Sequence, residues 1–266
     1  MTNPLVGVGF AALWHPELLL AALLVGIAYI QVTGRLRARF EGGAPVPPGK
    51  SAAFLGGLLV LYLAQGSPLE ILSNEYLFTA HIVQTILLLL VAPPLLLMGT
   101  PAWLVRPLFR AERVRRVVRG LTSPVTATVI FVAVFSAYLD PSITESALNN
   151  GWLYLLQHAL SFVAALILWW PVLSPLPELP PLSDPLQLLY TFCIELGMTV
   201  AFALITFAGT PLYPTFAAAP RVLALTPLQD QELGGLVMRL GSMASFGVAF
   251  AVAFFRWFRS DSRLAA

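Results

Sequence analysis

Long apolar runs alternate with short polar or basic segments along almost the whole chain. Each run approaches the ~20 residues that an α-helix needs to cross a bilayer. Seven runs predict seven transmembrane helices, at about 17–33, 52–72, 76–99, 124–140, 151–173, 186–207 and 234–258. No internal repeat is visible, so a transporter built from inverted repeats is not supported. We therefore predict an all-α polytopic membrane protein, a single seven-helix bundle over residues 1–266.

The composition agrees with this prediction. Of the 266 residues, 58% are hydrophobic and 11% are charged, against about 25% charged residues in soluble proteins. The single cysteine, Cys193, excludes an internal disulfide and thiolate metal motifs of the CxxC or CxxxC kind. Because the first residues carry no Lys or Arg, we expect no cleaved signal peptide. We find no phosphate loop, HExxH, GxSxG or nucleophile–base pair, so we expect neither an enzyme nor a nucleic-acid-binding protein.

Basic residues predict the orientation of the bundle. Thirteen of the 15 Lys and Arg residues fall after the first, third and seventh predicted spans. They are Arg35, Arg37, Arg39, Lys50, Arg106, Arg110, Arg113, Arg115, Arg116, Arg119, Arg256, Arg259 and Arg263. Seven spans place all of them on one side, and the positive-inside rule makes that side the cytoplasm. We expect the N-terminus outside and the C-terminus in the cytoplasm.

The 101–119 segment, PAWLVRPLFRAERVRRVVRG with its following glycine, is basic and amphipathic. This pattern is typical of a helix that lies on the anionic inner leaflet. A docking surface for a protein partner is the alternative interpretation.

The histidines are predicted at a common depth. His81 lies five residues into the third span and His158 seven residues into the fifth, and both spans begin outside. At ~1.5 Å per residue, both lie about 8–10 Å below the outer surface. His15 precedes the first span on the same side. Three acidic residues are also expected there: Asp140, Asp230 and Glu232.

Polar stripes indicate a polar bundle interior. His81, Gln84 and Thr85 share one helix face at i, i+3 and i+4. Glu195 lies near the middle of the sixth span, where a lone carboxylate would have to be protonated or paired. Arg239 in the seventh span is its only nearby base. We predict a Glu195–Arg239 pair, which would act as a structural brace or, alternatively, as part of a proton relay.

Metal binding is the chemistry that these side chains support. Imidazole is a common ligand of copper, and thioether sulfur suits Cu(I). His81 and His158 are the candidate ligands, with His15 or Met238 completing the set. The alternative is that the histidines only form hydrogen bonds between helices.

Several segments together resemble the CtaG-type cytochrome c oxidase assembly proteins, which are polytopic bacterial membrane proteins. TAHIVQTILLLLVAPPLLLMGTPAW (79–103) is similar to the signature helix of that family, and the most specific matching stretches are APPLLLMGTP (92–101) and DQELGG (230–235). In order, AYLDP (137–141), LQHALSFVAALILWWPVL (156–173), PLYPTF (211–216) and LTPLQDQELGGLVM (225–238) also match it. The resemblance covers about residues 14 to 258.

The resemblance implies which residues matter. It marks His81, Asp140, His158, Asp230 and Gln231. Family members often carry a second histidine four residues after the first, whereas this chain has Thr85 there, so a copper site would have to recruit His158. Asp230 and Glu232 precede the final predicted helix, where they would cap it or serve the outer polar site.

The function implied is assembly of haem-copper cytochrome c oxidase in the bacterial plasma membrane, with transient copper held for insertion at the outer face. Expected partners are oxidase subunits, membrane lipids and a periplasmic copper donor. Asp140 and Asp230 would either orient the metal ligands or form part of the surface that binds this donor. Two alternatives remain open. One is a metal-free scaffold that works through the basic segment, and the other is a redox protein with His81 and His158 as axial haem ligands.

Overall fold

The computed structural model describes residues 13–264, with side chains up to residue 260. This part of the chain is helical and contains no strand. Its helices are α1 (Pro16–Thr33), α2 (Pro48–Gly66), α3 (Pro68–Ile71), α4 (Phe78–Ile86), α5 (Ala92–Gly99), α6 (Ala102–Val105), α7 (Glu112–Leu121), α8 (Pro124–Leu139), α9 (Pro141–Leu148), α10 (Gly151–Leu173), α11 (Asp184–Thr206), α12 (Pro214–Ala218) and α13 (Pro227–Leu264). The described part does not include residues 1–12, on which the signal-peptide expectation rests. It also does not include the Arg263 side chain.

Five helical segments are long and apolar enough to span a membrane: 16–33, 78–99, 151–173, 184–206 and 227–260. Two further pairs qualify only as bent spans, α2 with 68–76 at 46° and α7 with α8 at 67°. The all-helical, multi-pass architecture is confirmed, and the count reaches seven when each bent pair is one span.

Two helix boundaries differ from those of the predicted spans. The second span was predicted to continue to 72, but α2 ends at Gly66. Ser67 then caps a new helix, because its hydroxyl accepts a hydrogen bond from Leu69 N and Pro68 occupies the first helical position. The last helix begins at Pro227 rather than at 234, because Pro227 also suits a first turn and the polar residues after it are helical.

The APP sequence at 92–94 links the central span to two neighbours. Pro93 and Pro94 have no N–H, so the carbonyls of Leu89 and Leu90 lose their partners within the helix. Trp169 Nε1 in α10 donates to Leu89 O at 3.2 Å, and Ser245 in α13 donates to Leu90 O at 2.8 Å. A wide turn over 87–91 accommodates the change. The prolines therefore create two contacts between helices inside the bundle.

Glycines allow α13 to approach its neighbours closely. A Cβ on Gly234 would lie 2.6 Å from Phe78 Cδ1, and one on Gly241 would lie 2.5 Å from Ile86 Cδ1, both in the 78–86 helix. Gly235 is similarly tight against Thr206 of α11. Gly234 and Gly235 therefore serve close helix packing.

The bundle has two chemically different ends. We call the end where α4, α10 and α13 begin and α8 finishes the histidine end, because His81 and His158 lie near it. We call the opposite end, where α5 finishes and α7 lies, the arginine end. There Arg106 pairs with Glu178 at 2.8 Å and Arg256 pairs with Asp184 at 2.9 Å.

Candidate functional site

Asp230 holds the first turn of the helix that carries His81. Its carboxylate oxygens accept hydrogen bonds from Phe78 N at 2.8 Å and Thr79 N at 3.1 Å. Thr79 Oγ1 donates to the Asp230 carbonyl at 2.9 Å. The side chain is buried, so the α13 residue caps α4 from another part of the chain. Of the two roles considered for Asp230, a cap of its own helix does not apply, because α13 starts earlier and Asp230 lies within its first turn.

Gln231, the next residue, fixes the chain that follows α11. Its Oε1 accepts from Leu212 N at 2.7 Å, and its Nε2 donates to Ile205 O at 3.0 Å. The adjacent Asp–Gln pair therefore orients two different segments around the histidine end.

His81 is almost completely buried, with 1% of its surface exposed. Its ring stacks on Tyr138, with centroids 5.3 Å apart, and also lies beside Phe78 and Phe216. Neither ring nitrogen has a hydrogen-bond partner among the described residues. The Ser73 backbone interacts with the ring electrostatically but outside hydrogen-bond geometry. A buried imidazole without such a bond is unusual, because buried polar groups normally have partners.

His158 is oriented by its own helix. Its Nδ1 lies 3.0 Å from Tyr154 O, and because a carbonyl only accepts, Nδ1 carries the hydrogen. Nε2 of the neutral ring is then an acceptor, and the Tyr138 hydroxyl donates to it at 3.4 Å. A backbone bond at one nitrogen that leaves the other unprotonated is the usual arrangement of a metal-ligating histidine, although here a ligand at Nε2 would have to displace the Tyr138 hydroxyl.

Tyr138 connects the two histidines. Its ring stacks on His81 and meets His158 edge to face, with centroids 5.6 Å apart. Its hydroxyl lies 3.2 Å from Thr85 Oγ1, and Thr85 in turn donates to His81 O at 2.7 Å. Tyr138 was not among the predicted site residues, although it lies within the AYLDP segment.

Gln84 is fully engaged in packing. Its Nε2 donates to Ala64 O at 2.8 Å, and its Oε1 accepts from Ser73 at 2.9 Å. The Gln84 side chain therefore links α4 to α2 and to the 72–76 turn through hydrogen bonds.

His15 is not brought to the buried pair. Its Nδ1 lies 2.7 Å from Glu17 Oε1 and its Nε2 3.7 Å from Glu70 Oε2, at the partly exposed bend between α2 and α3. Met238 is buried in the same apolar cluster as Phe78 and Ile82. Within the described residues, no group of three or more His, Cys, Asp or Glu is arranged to hold a metal ion. The donors at the site are thus two imidazoles, and Met238, like Met198, lies in the apolar core of the bundle.

Asp140 caps the short helix that follows it. Its Oδ1 accepts from Ser142 N at 3.0 Å, Ile143 N at 3.1 Å and the Ser142 hydroxyl at 2.5 Å. These hydrogen bonds hold the pKa of the Asp140 carboxyl below its usual value. The contacts place Asp140 at the rim of the histidine end, where it orients α9.

An aromatic lid closes the histidine end over His81. We define the lid as residues 212–218, including α12. Tyr213 stacks on Phe78 at 4.5 Å and donates to Leu139 O at 2.7 Å, while Phe216 lies 5.8 Å from His81. Glu145 in α9 accepts from Thr215 N at 3.1 Å and from its hydroxyl at 2.7 Å. The lid residues were missed as site residues, and the prolines and aromatics of PLYPTF were the only local signal.

The predicted Glu195–Arg239 pair is confirmed. Arg239 Nη1 lies 2.5 Å from Glu195 Oε1, and the Ser242 hydroxyl donates to the same oxygen at 3.0 Å. Arg239 also donates to Thr199 Oγ1 at 3.2 Å. The contacts join α11 to α13 and do not include the histidines.

The comparisons with known proteins agree with the resemblance of the sequence. A family model described as "Cytochrome c oxidase caa3 assembly factor (Caa3_CtaG)" matches residues 27–260. No curated protein and no solved structure matches the chain.

Proposed function

Because the chain belongs to the cytochrome c oxidase caa3 assembly factor family, we propose that it supports copper insertion into the oxidase through a site built on His81 and His158. Oxidase assembly is the role of the family, and copper is the cargo in this proposal. The observation that carries it is the buried His81 ring, whose two nitrogens have no hydrogen-bond partner among the described residues. A ligand at one of them would account for this environment.

The donor chemistry favours Cu(I). The buried donors are neutral imidazoles, with the Met238 thioether in the same core, and these are the soft and borderline ligands that Cu(I) prefers. Hard divalent cations prefer several carboxylate oxygens, and the nearest described carboxylates are used as helix caps or ion pairs. A small set of neutral ligands suits cargo that has to be released again.

The other residues position the donors. Tyr154 O holds the His158 tautomer in which Nε2 is unprotonated, and Asp230 holds the first turn of the His81 helix. Phe216 and Tyr213 cover the site, so cargo transfer would require the lid to move. We place the histidine end outside the plasma membrane, since the arginine segments lie at the other end. A periplasmic donor would then load the site.

Packing around the rings favours copper over the haem alternative. A haem ligated by both histidines would have to lie between them, where the Tyr138 ring contacts both. The visible spectrum of the purified protein tests this point directly, since bound haem gives an intense Soret band.

An anaerobic Cu(I) titration against a chromogenic competitor tests the proposal. We expect one stoichiometric site in the wild type and its loss in the His81→Ala, His158→Ala double variant. His15→Ala is the matched control, because that ring lies in the surface ion pairs, and it should retain the site. Absence of a tight site in the wild type would contradict copper handling and leave a metal-free scaffold.

A further inference from the structure

Helix α7 (Glu112–Leu121) presents an apolar face that the rest of the protein leaves uncovered. Val114, Val117 and Leu121 are spaced i, i+3 and i+7, so they share one face. Their exposed fractions are 41%, 60% and 38%. An exposed apolar stripe of this kind would contact water unless another phase covers it.

The direction of α7 indicates that the lipid bilayer covers the apolar stripe. The helix is bent by 67° relative to α8, which begins three residues after α7 ends. If α8 crosses the membrane, α7 lies close to the membrane plane. At ten residues, α7 is also too short to cross the bilayer. The geometry is that of an interfacial amphipathic helix.

The face of α7 beside the apolar stripe is basic. Arg113, Arg116 and Arg119 follow one another at three-residue spacing, within about 120° on a helical projection. Ion pairs within the described residues engage Arg110 with Glu41 and Arg115 with Glu112, but they provide no carboxylate for these three arginines. Guanidinium groups at the membrane surface match lipid phosphate oxygens in charge and geometry.

We infer that α7 is a binding surface for acidic phospholipids of the leaflet at the arginine end, with Val114, Val117 and Leu121 in the acyl region and Arg113, Arg116 and Arg119 on the headgroup phosphates. The inference is independent of copper binding. A lipid fits α7 better than a protein partner does, because an uncovered apolar stripe and a basic face without ion pairs in the described part of the chain occur on one helix in the membrane plane.

Lipid enrichment provides the first test. The full-length protein is purified from mixed micelles of phosphatidylglycerol and phosphatidylcholine, and the retained lipids are quantified. We expect several-fold enrichment of phosphatidylglycerol in the wild type, which falls as ionic strength rises. The Arg113→Gln, Arg116→Gln, Arg119→Gln variant should lose most of it. Arg and Gln have similar helix propensity, so α7 should still form.

The matched control removes the same charge elsewhere. Arg35→Gln, Arg37→Gln, Arg39→Gln neutralises three basic residues of the loop after α1, and it should keep most of the enrichment. Equal loss in both triple variants would overturn the assignment to α7. Unchanged enrichment in the α7 variant with impaired oxidase assembly would instead identify a protein-docking surface.

A depth measurement provides the second test. In a Cys193→Ala background, Val117→Cys and Arg116→Cys are labelled with an environment-sensitive fluorophore in bilayers that contain acyl-chain nitroxide lipids. We expect strong quenching at 117 and weaker quenching at 116, because the two positions are about 100° apart on the helix and 116 lies on the basic face. Weak quenching at both positions would show that α7 stands clear of the membrane and would overturn the inference.

Discussion

The Asp230 carboxylate accepts hydrogen bonds from the N–H groups of Phe78 at 2.8 Å and of Thr79 at 3.1 Å. Residues 152 positions apart are thereby joined at the point where the His81 helix begins. A helix leaves its first N–H groups without partners, and here the final helix supplies the missing acceptor. The start of α4 therefore depends on the docking of α13.

Replacing Asp230 with Ala should destabilise the protein by about 1–3 kcal/mol, because two buried N–H groups lose their acceptor. Asp230→Asn retains one acceptor oxygen and should cost less. Thermal unfolding in detergent measures both effects. The control is Glu232→Ala, an exposed neighbour, which should change stability by less than about 0.5 kcal/mol. Equal stability of the Ala variant and the wild type would contradict the capping role.

The sequence predicts the parts of this arrangement that depend on local pattern. The apolar runs, the distribution of arginines and the Glu195–Arg239 pair follow from hydropathy and charge. The contact of Asp230 with α4 does not, because a cap provided by a distant helix leaves no local signal. The turn signal at Pro227 was present, but the polar residues after it resembled a loop.

The sequence also predicts the depth of the histidines better than it predicts which side chains they contact. Helical rise correctly suggests that His81 and His158 lie at a similar depth, and both rings contact Tyr138. The rise along each helix does not reveal which side chain lies between them. It also does not separate His15 from the pair, since that separation depends on its contacts with Glu17 and Glu70.

Gly234 and Gly247 lie on one helix, and an Ala substitution should have opposite effects at the two positions. At Gly234 the new methyl group meets Phe78 at 2.6 Å, and the Phe78 ring is held by Tyr213. We expect Gly234→Ala to destabilise by about 1–3 kcal/mol through overpacking. At Gly247 nothing lies within 4 Å, so Ala should stabilise by up to about 1 kcal/mol through helix propensity. Equal effects in thermal unfolding would contradict the close approach of α13 to α4.

The Asp140 cap should make stability depend on pH in the acid range. Hydrogen bonds from Ser142 and Ile143 lower the pKa of the Asp140 carboxyl in the folded protein. Such a group stabilises the fold above its unfolded pKa of about 3.9 and loses that contribution as pH falls through the lower folded value. Unfolding of the wild type and of Asp140→Ala is compared from pH 7 to pH 3. The gap between them should be constant near neutrality and shrink below about pH 4. A gap that persists at pH 3 would contradict the assignment.

Variants of Glu195 and Arg239 test whether the pair is a structural brace or part of a proton relay. Arg239→Leu leaves a buried carboxylate without its cation, so we expect a large loss of folded protein in size-exclusion chromatography. The double variant Glu195→Leu, Arg239→Leu removes both charges and should recover most of the yield, since an apolar pair needs no compensation in a membrane. If the pair is a brace, the double variant also supports oxidase assembly. A well-folded double variant without assembly activity would contradict the brace and favour the relay, because only proton transfer requires the ionisable groups themselves.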